Sequence, residues 1–284
     1  MAIFTSSFTS YDGTRLARHD RGTGEPLVCL PGGAMRASAY LDDLGGLDRH
    51  RRLVLLDLRG TGGSEVPLDE STYRMDRQVA DVEALRLDLG LDRMDLLAHS
   101  AGGNLALLYA AAHPERVRSL VLVTVPARAL DLPATLEHKL AAARLRSGEP
   151  WFEAAYPVFA QVMAGERDDD AAWELILPFF YGRWDDRAAA HAALSEHQTN
   201  EKAAARCFEE GVFDPPATRE ALRSLRARVL VLAGGLDGNP TPERAAETAA
   251  LLPGAETVVQ PGAGHFPWLD DPERFRGTVR DFLD

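Results

Sequence analysis

Met94-Asp95-Leu96-Leu97-Ala98-His99-Ser100-Ala101-Gly102 decides the fold of this chain. An apolar run with strand character ends at Ala98, and the helix-forming stretch Asn104-Leu105-Ala106-Leu107-Leu108-Tyr109 begins just beyond Gly102. One serine is therefore held on a sharp strand-to-helix turn. Ala98 and Gly102 flank it at i−2 and i+2, where a tight backbone leaves no room for larger Cβ groups, and the strain lifts the hydroxyl out of the sheet. A serine N-cap at an ordinary helix start has the same short pattern, so the surrounding sequence has to choose between them.

Outward from that turn the chain alternates strands and helices. Ile3 to Ser10 and Thr14 to Asp20 read as an edge hairpin around Asp12-Gly13. Pro26 to Leu30, Arg52 to Leu58, Met94 to Ala98, Val117 to Thr124 and Val229 to Ala233 are short apolar runs, most of them separated by helix-period segments, and Glu256 to Gln260 reads as a last strand. Arg77 to Leu89 is such a segment, with Val79, Val82, Leu85 and Leu89 on one stripe. This pattern predicts an α/β fold, a mostly parallel eight-stranded sheet with helices on both faces. The alternation stops at Pro126 and resumes near Leu225, which predicts a first core segment at 1–125, a helical cap at 126–224 inserted after strand six, and a second core segment at 225–284. The cap is rich in aromatic residues, among them Trp151, Phe159, Phe179 and Trp184, suited to a core of its own and to a lid over the sheet edge.

Composition narrows the function classes. The 284 residues carry a formal charge of −12, against nucleic-acid binding and against docking on anionic lipid. Cys29 and Cys207 form neither a disulfide framework nor a metal motif. The stretch Met1-Ala2-Ile3-Phe4 lacks a basic and apolar leader, and no apolar run is long enough to span a membrane, so a cytoplasmic location is expected. Lysine occurs only at Lys139 and Lys202 while arginine and alanine abound, a bias of GC-rich bacterial genomes.

A serine nucleophile needs a base, and the base needs an orienting acid. His265 lies in the Gly264-His265-Phe266 loop after the last strand, and Asp237 follows the strand that ends at Gly234-Gly235. Both are positions where side chains converge in open α/β sheets. An oxyanion needs two amide donors. Ala101, at the helix start, supplies one, and the Leu30-Pro31-Gly32-Gly33-Ala34 loop supplies the other, with Gly33 as the donor. His99, next to the serine, points elsewhere on such a turn and reads as packing or orienting, and Asp131 is the alternative acid. Tyr11, His19, His50 and His113 read as structural. Gly60-Thr61-Gly62-Gly63 is no dinucleotide fingerprint and no metal cluster is visible, so no cofactor is expected.

Pro31-Gly32-Gly33, Asp57 to Ser64, His99 to Gly103, Gly234 to Asp237 and Gly264-His265 together resemble the α/β-hydrolase superfamily over roughly two-thirds of the chain. Ala98 stands where glycine is commoner and Pro31 where many members have histidine. The order Ser100, Asp237, His265 is that of the superfamily's triads. The Asp57 to Ser64 stretch and the helical insertion are similar to the proline iminopeptidase branch, whose members bind a free amino group with cap carboxylates. That resemblance implies substrate contacts from Glu196, Glu201, Glu209 and Glu210, with Trp184 beside them. The expected activity is release of an N-terminal residue or aminoacyl group from a short peptide or small molecule. A carboxylesterase or lactonase with an apolar cap is the alternative, and a ligand receptor of the same fold the third reading.

Overall fold

A computed structural model describes residues 3–284; Met1 and Ala2 of the N-terminal stretch lie outside the described residues. Eight strands run in chain order: β1 (Ile3–Thr9), β2 (Arg15–Arg21), β3 (Pro26–Leu30), β4 (Arg52–Leu56), β5 (Met94–His99), β6 (Val117–Val123), β7 (Arg228–Gly234) and β8 (Glu256–Gln260). Their order in the single sheet is β1-β2-β4-β3-β5-β6-β7-β8. The β1/β2 and β2/β4 pairs are antiparallel and every later pair is parallel, as the alternating pattern predicted. β4 stops two residues earlier than its apolar run; the Asp57 amide still donates to the Ala17 carbonyl of β2, while its carboxylate accepts hydrogen bonds from Ser38, Gly63 and His19.

Alternation within each parallel strand builds two cores, one on each face. Val28, Leu30, Leu96, Ala98, Leu120, Leu122, Val229 and Val231 pack against α1 (Met75–Asp88) and α2 (Gly102–Ala112). Leu27, Cys29, Leu97, Val121, Val123, Leu230 and Leu232 pack on the other face, under Phe275, Val279 and Phe282 of the C-terminal helix.

Between β6 and β7 lie α3 (Leu136–Arg144), α4 (Phe152–Ala164), α5 (Asp170–Ile176), α6 (Asp186–Ala193), α7 (Ser195–Gln198), α8 (Glu201–Cys207) and α9 (Pro215–Leu222). Side-chain caps start five of these seven: Thr135, Asp169, Asp185, Asn200 and Asp214 each accept from a backbone N–H of the first turn. Phe152, Phe159 and Phe179 form a third apolar cluster with Trp151 and Tyr156 at its margin, so most of the cap's aromatic residues hold the cap itself together. The remaining helices are α10 (Pro242–Ala250), α11 (Pro267–Asp270) and α12 (Pro272–Leu283). Among the described residues no helix is long and apolar enough to cross a membrane.

Parallel pairing sends the C-terminal ends of β3, β5, β6, β7 and β8 to one edge of the sheet. The residues that follow them, Gly32, Ser100, Thr124, Asp237 and His265, meet there.

Candidate active site

Ser100 is the turn between β5 and α2, and its φ of 50° is left-handed, a strained setting for a residue with a Cβ. Its amide donates to the Val123 carbonyl at 2.9 Å, which ties the turn to β6. Packing dictates the small neighbours. A Cβ on Gly102 would collide with the Pro31 and Leu30 carbonyls, and one on Gly103 with the Val125 side chain. Ala98 is fully buried between Leu30 and Leu122 in the sheet.

His265 Nε2 lies 2.8 Å from Ser100 Oγ, and His265 Nδ1 lies 2.7 Å from Asp237 Oδ2. Asp237 is 2% exposed, and its second oxygen accepts from the Asn239 amide at 2.9 Å. A carboxylate so fixed holds the Nδ1–H tautomer, leaving Nε2 free to take a proton from the serine. Asp131, the alternative acid, is exposed and forms no bond to His265.

The second loop meets the elbow closely. A Cβ on Gly32 would come 2.7 Å from Ser100 Cβ, so glycine is required there. Its amide donates to Tyr40 Oη at 2.6 Å, which leaves the next amide, Gly33, to face a ligand. Gly33, Ala34 and Met35 all have positive φ, turning this backbone over the serine. Within the described residues the amides of Gly33 and Ala101 make no hydrogen bond. The geometry therefore leaves both expected donors available.

His99 is buried and orients the site, through a partner that sequence reasoning missed. Tyr40 Oη accepts from Gly32 N–H and donates to His99 Nδ1 at 2.7 Å, and His99 Nε2–H donates to the His265 carbonyl at 2.9 Å. Burial, with His265 adding to it, holds the His99 pKa well below the ordinary imidazole range, so it stays a neutral relay. Thr124 Oγ1 donates to the same carbonyl at 2.9 Å. No motif marks Tyr40 or Thr124; each is found only once the strands are aligned.

The cap closes on this edge through backbone contact. The His265 amide donates to the Phe180 carbonyl at 2.7 Å, and a Cβ on Gly264 would come 2.6 Å from that same oxygen. Asp270 accepts from the amides of Gly264 and Gly182, fastening loop and cap together; burial raises its pKa, and those amides oppose the rise. On the opposite side Ala37 N donates to the Gln198 carbonyl and Asn200 N to the Met35 carbonyl.

The cap residues expected to bind substrate are not brought together. Glu196, Glu201, Glu209 and Glu210 are all exposed, and Glu209 pairs with Arg206 at 3.4 Å. The expected buried carboxylate pair is therefore absent from the described residues. α8 turns Ala203 and Cys207 inward, one helical turn apart, which leaves Glu201 on the solvent side; Glu209 and Glu210 lie past its end. Trp184 is half-buried and packs against Tyr181, with ring centroids 5.4 Å apart. Of the remaining side chains, His19 Nε2 pairs with Asp57 at 2.8 Å and the His113 ring packs tilted against Tyr109, with centroids 5.0 Å apart. No group of side chains that could hold a metal ion occurs among the described residues.

Residues 25–165 match the family model for the alpha/beta hydrolase fold. The chain is 24% identical to a proline iminopeptidase of Heyndrickxia coagulans across 99% of both chains. It is 29% identical to N-formylmaleamate deformylase of Pseudomonas putida across 93% of this chain and 90% of that one. Among solved structures, the esterase RhEst1 from Rhodococcus sp. ECU1013 superposes with a TM-score of 0.73 at 27% identity, covering 100% of this chain and 98% of the other. Strand order, elbow and these likenesses agree: this chain belongs to the α/β-hydrolase family of enzymes.

Proposed function

We propose that the protein is a serine hydrolase that cleaves small esters through an acyl-enzyme on Ser100. The observation that carries this reading is the continuous line Ser100 Oγ, His265, Asp237, with contacts of 2.8 and 2.7 Å. His265 Nε2 takes the hydroxyl proton as Ser100 Oγ bonds to the carbonyl carbon. The oxyanion that forms lies before the Gly33 and Ala101 amides, the latter at the start of α2, where the dipole also favours negative charge. As the tetrahedral species collapses, the imidazolium returns its proton to the departing alkoxide. Water, deprotonated by the same nitrogen, then attacks the acyl-enzyme and releases the acid and free Ser100. Asp237 stays ionised throughout and holds the ring.

Release of an aminoacyl group is the second reading, favoured by the full-length likeness to a proline iminopeptidase. The outward cap glutamates offer a substrate ammonium no buried carboxylates, which supports ester cleavage as the first reading. Turnover of p-nitrophenyl acetate beside alanyl and prolyl p-nitroanilides tests the choice. Ester turnover, lost in Ser100→Ala, is the expected result. Cleavage of the anilides alone would put the second reading first, and turnover of neither would leave the ligand-receptor reading.

A further inference from the structure

Arg36, Arg51, Arg59, Arg86 and Arg146 are buried. The last four each meet a carboxylate: Asp95 at 3.1 Å, Asp81 and Asp12, Glu83 at 2.6 Å, and Glu149 at 3.8 Å. Arg36 is 5% exposed and forms no ion pair among the described residues. Its guanidinium lies over the Tyr40 ring, 4.4 Å from the centroid. Nε donates to Gln198 Oε1 at 2.9 Å and Nη2 to the His191 carbonyl at 3.3 Å, both neutral acceptors. Nη1 has no hydrogen-bond partner among the described residues.

Taking a guanidinium out of water without an anion is unfavourable, and burial lowers the Arg36 pKa in keeping with that. A purely structural latch between loop and cap would serve as well with a neutral side chain. The position gives the charge a use. Arg36 follows Gly33 by three residues, and its Cβ, Cγ and Cδ lie 3.0 to 3.7 Å from where a Cβ on Gly33 would stand. The neighbouring Gly32 touches Ser100. The carboxylates of the active-site edge are already committed, Asp237 to His265 and Asp270 to the amides of Gly264 and Gly182. The guanidinium, carried by the loop that holds Gly33 and lying over the Tyr40 ring, thus meets no anion among the described residues.

We propose that Arg36 binds a free carboxylate of the substrate, so that the cleaved ester belongs to a small organic acid. This rests on the hydrolase reading above for the word substrate, though not for the binding of the anion. Charge-assisted pairing at a desolvated site corresponds to about 10- to 100-fold in binding.

Two measurements at fixed ionic strength test it. In the first, kcat/KM is compared for hemiesters with the carboxylate on the acyl side (ethyl hydrogen succinate) or the alcohol side (3-acetoxypropionate), each against its neutral methyl ester. In the second, the thermal midpoint of Ser100→Ala is followed with succinate or with neutral succinamide. The expected results are a 10- to 100-fold preference for one of the two anionic esters and stabilisation by succinate alone. Arg36→Gln abolishes both, and Arg36→Lys retains part of each. Equal kcat/KM for charged and neutral esters in the unsubstituted protein, with no effect specific to succinate, overturns the proposal even if Arg36→Gln fails to fold. An Arg36-dependent succinate shift without turnover of any ester leaves the anion site standing and removes the hydrolase reading. Neutral-ester turnover without preference does the reverse.

Discussion

The sheet edge and the cap meet where the His265 amide donates to the Phe180 carbonyl, and they differ in what fixes them. At the edge, local sterics leave little choice: Ser100 sits at φ 50°, Gly32 presses on it, and Gly102 and Gly103 admit no side chain. In the cap, helices of four to thirteen residues pack on one another, and which face looks down depends on contacts between segments far apart in sequence. Residues at the edge are replaceable only at the cost of geometry. Residues in the cap are replaceable unless they touch the edge.

That contrast is broken most directly by His265→Gln, which removes the base and keeps the fold. Turnover of a reactive ester should fall ~10³-fold or more, because the hydrogen-bonded groups act as a unit. A loss under tenfold would mean that the edge does not carry the chemistry. Gly264→Ala probes the seam, since a Cβ there meets the Phe180 carbonyl. Overpacking against backbone should lower stability by about 1–3 kcal/mol in denaturant titration and reduce kcat along with it. If it proves neutral, cap and histidine loop are less tightly joined than the contacts indicate.

Tyr40→Phe sharpens the comparison within the edge. It deletes the hydroxyl that joins Gly32 N–H to His99 Nδ1. About 1–2 kcal/mol of lost positioning appears as roughly a tenfold fall in kcat with KM unchanged. A rise in KM alone would reassign Tyr40 to substrate binding.

A pH prediction concerns the far flank of the sheet. The hydrogen bond to Asp57 raises the His19 pKa above its ordinary value, burial opposing it. Burial would raise the Asp57 pKa, but the bonds from His19, Gly63 and Ser38 hold it below the usual carboxylate range. The raised histidine contributes stability that is complete below its unfolded value of about 6.5 and fades as pH climbs through the folded value. The depressed aspartate contributes stability that is complete above about 3.9 and is lost in acid. Chemical denaturation from pH 5 to 9 should thus show an alkaline decline in the parent that is flatter in His19→Asn. Parallel curves would discard the pair as the source. The smallest effect is assigned to the cap surface: Glu196→Gln, Glu209→Gln and Glu210→Gln should each leave kcat/KM within about twofold, as exposed charges contribute little. A large rise in KM for an amino-bearing substrate would bring the aminopeptidase reading back.

What could be read from the sequence follows the same division. The elbow, the acid after β7, the histidine after β8 and the glycine loop after β3 each sit at a strand end, and parallel pairing then forces them together. Tyr40 lay outside that logic, and Thr124, though it stands at the end of β6, carries no motif, because an orienting hydroxyl needs no spacing rule, only a neighbour in space. The cap glutamates misled for a physical reason that was available: Ala203 and Cys207, four apart, mark the inward face of α8, and Glu201 lies off it. Arg36 had no such signal, since a buried cation is told from a surface one only by the absence of its partner.

The claim that Ser100 is the nucleophile is tested most directly by covalent capture. Treatment with an alkyl fluorophosphonate, followed by intact-mass and peptide mass spectrometry, should give one adduct per chain on the peptide bearing Ser100. Activity should be lost in proportion, with no adduct on Ser100→Ala. An adduct on any other residue, or full inactivation with Ser100 unmodified, would contradict the account.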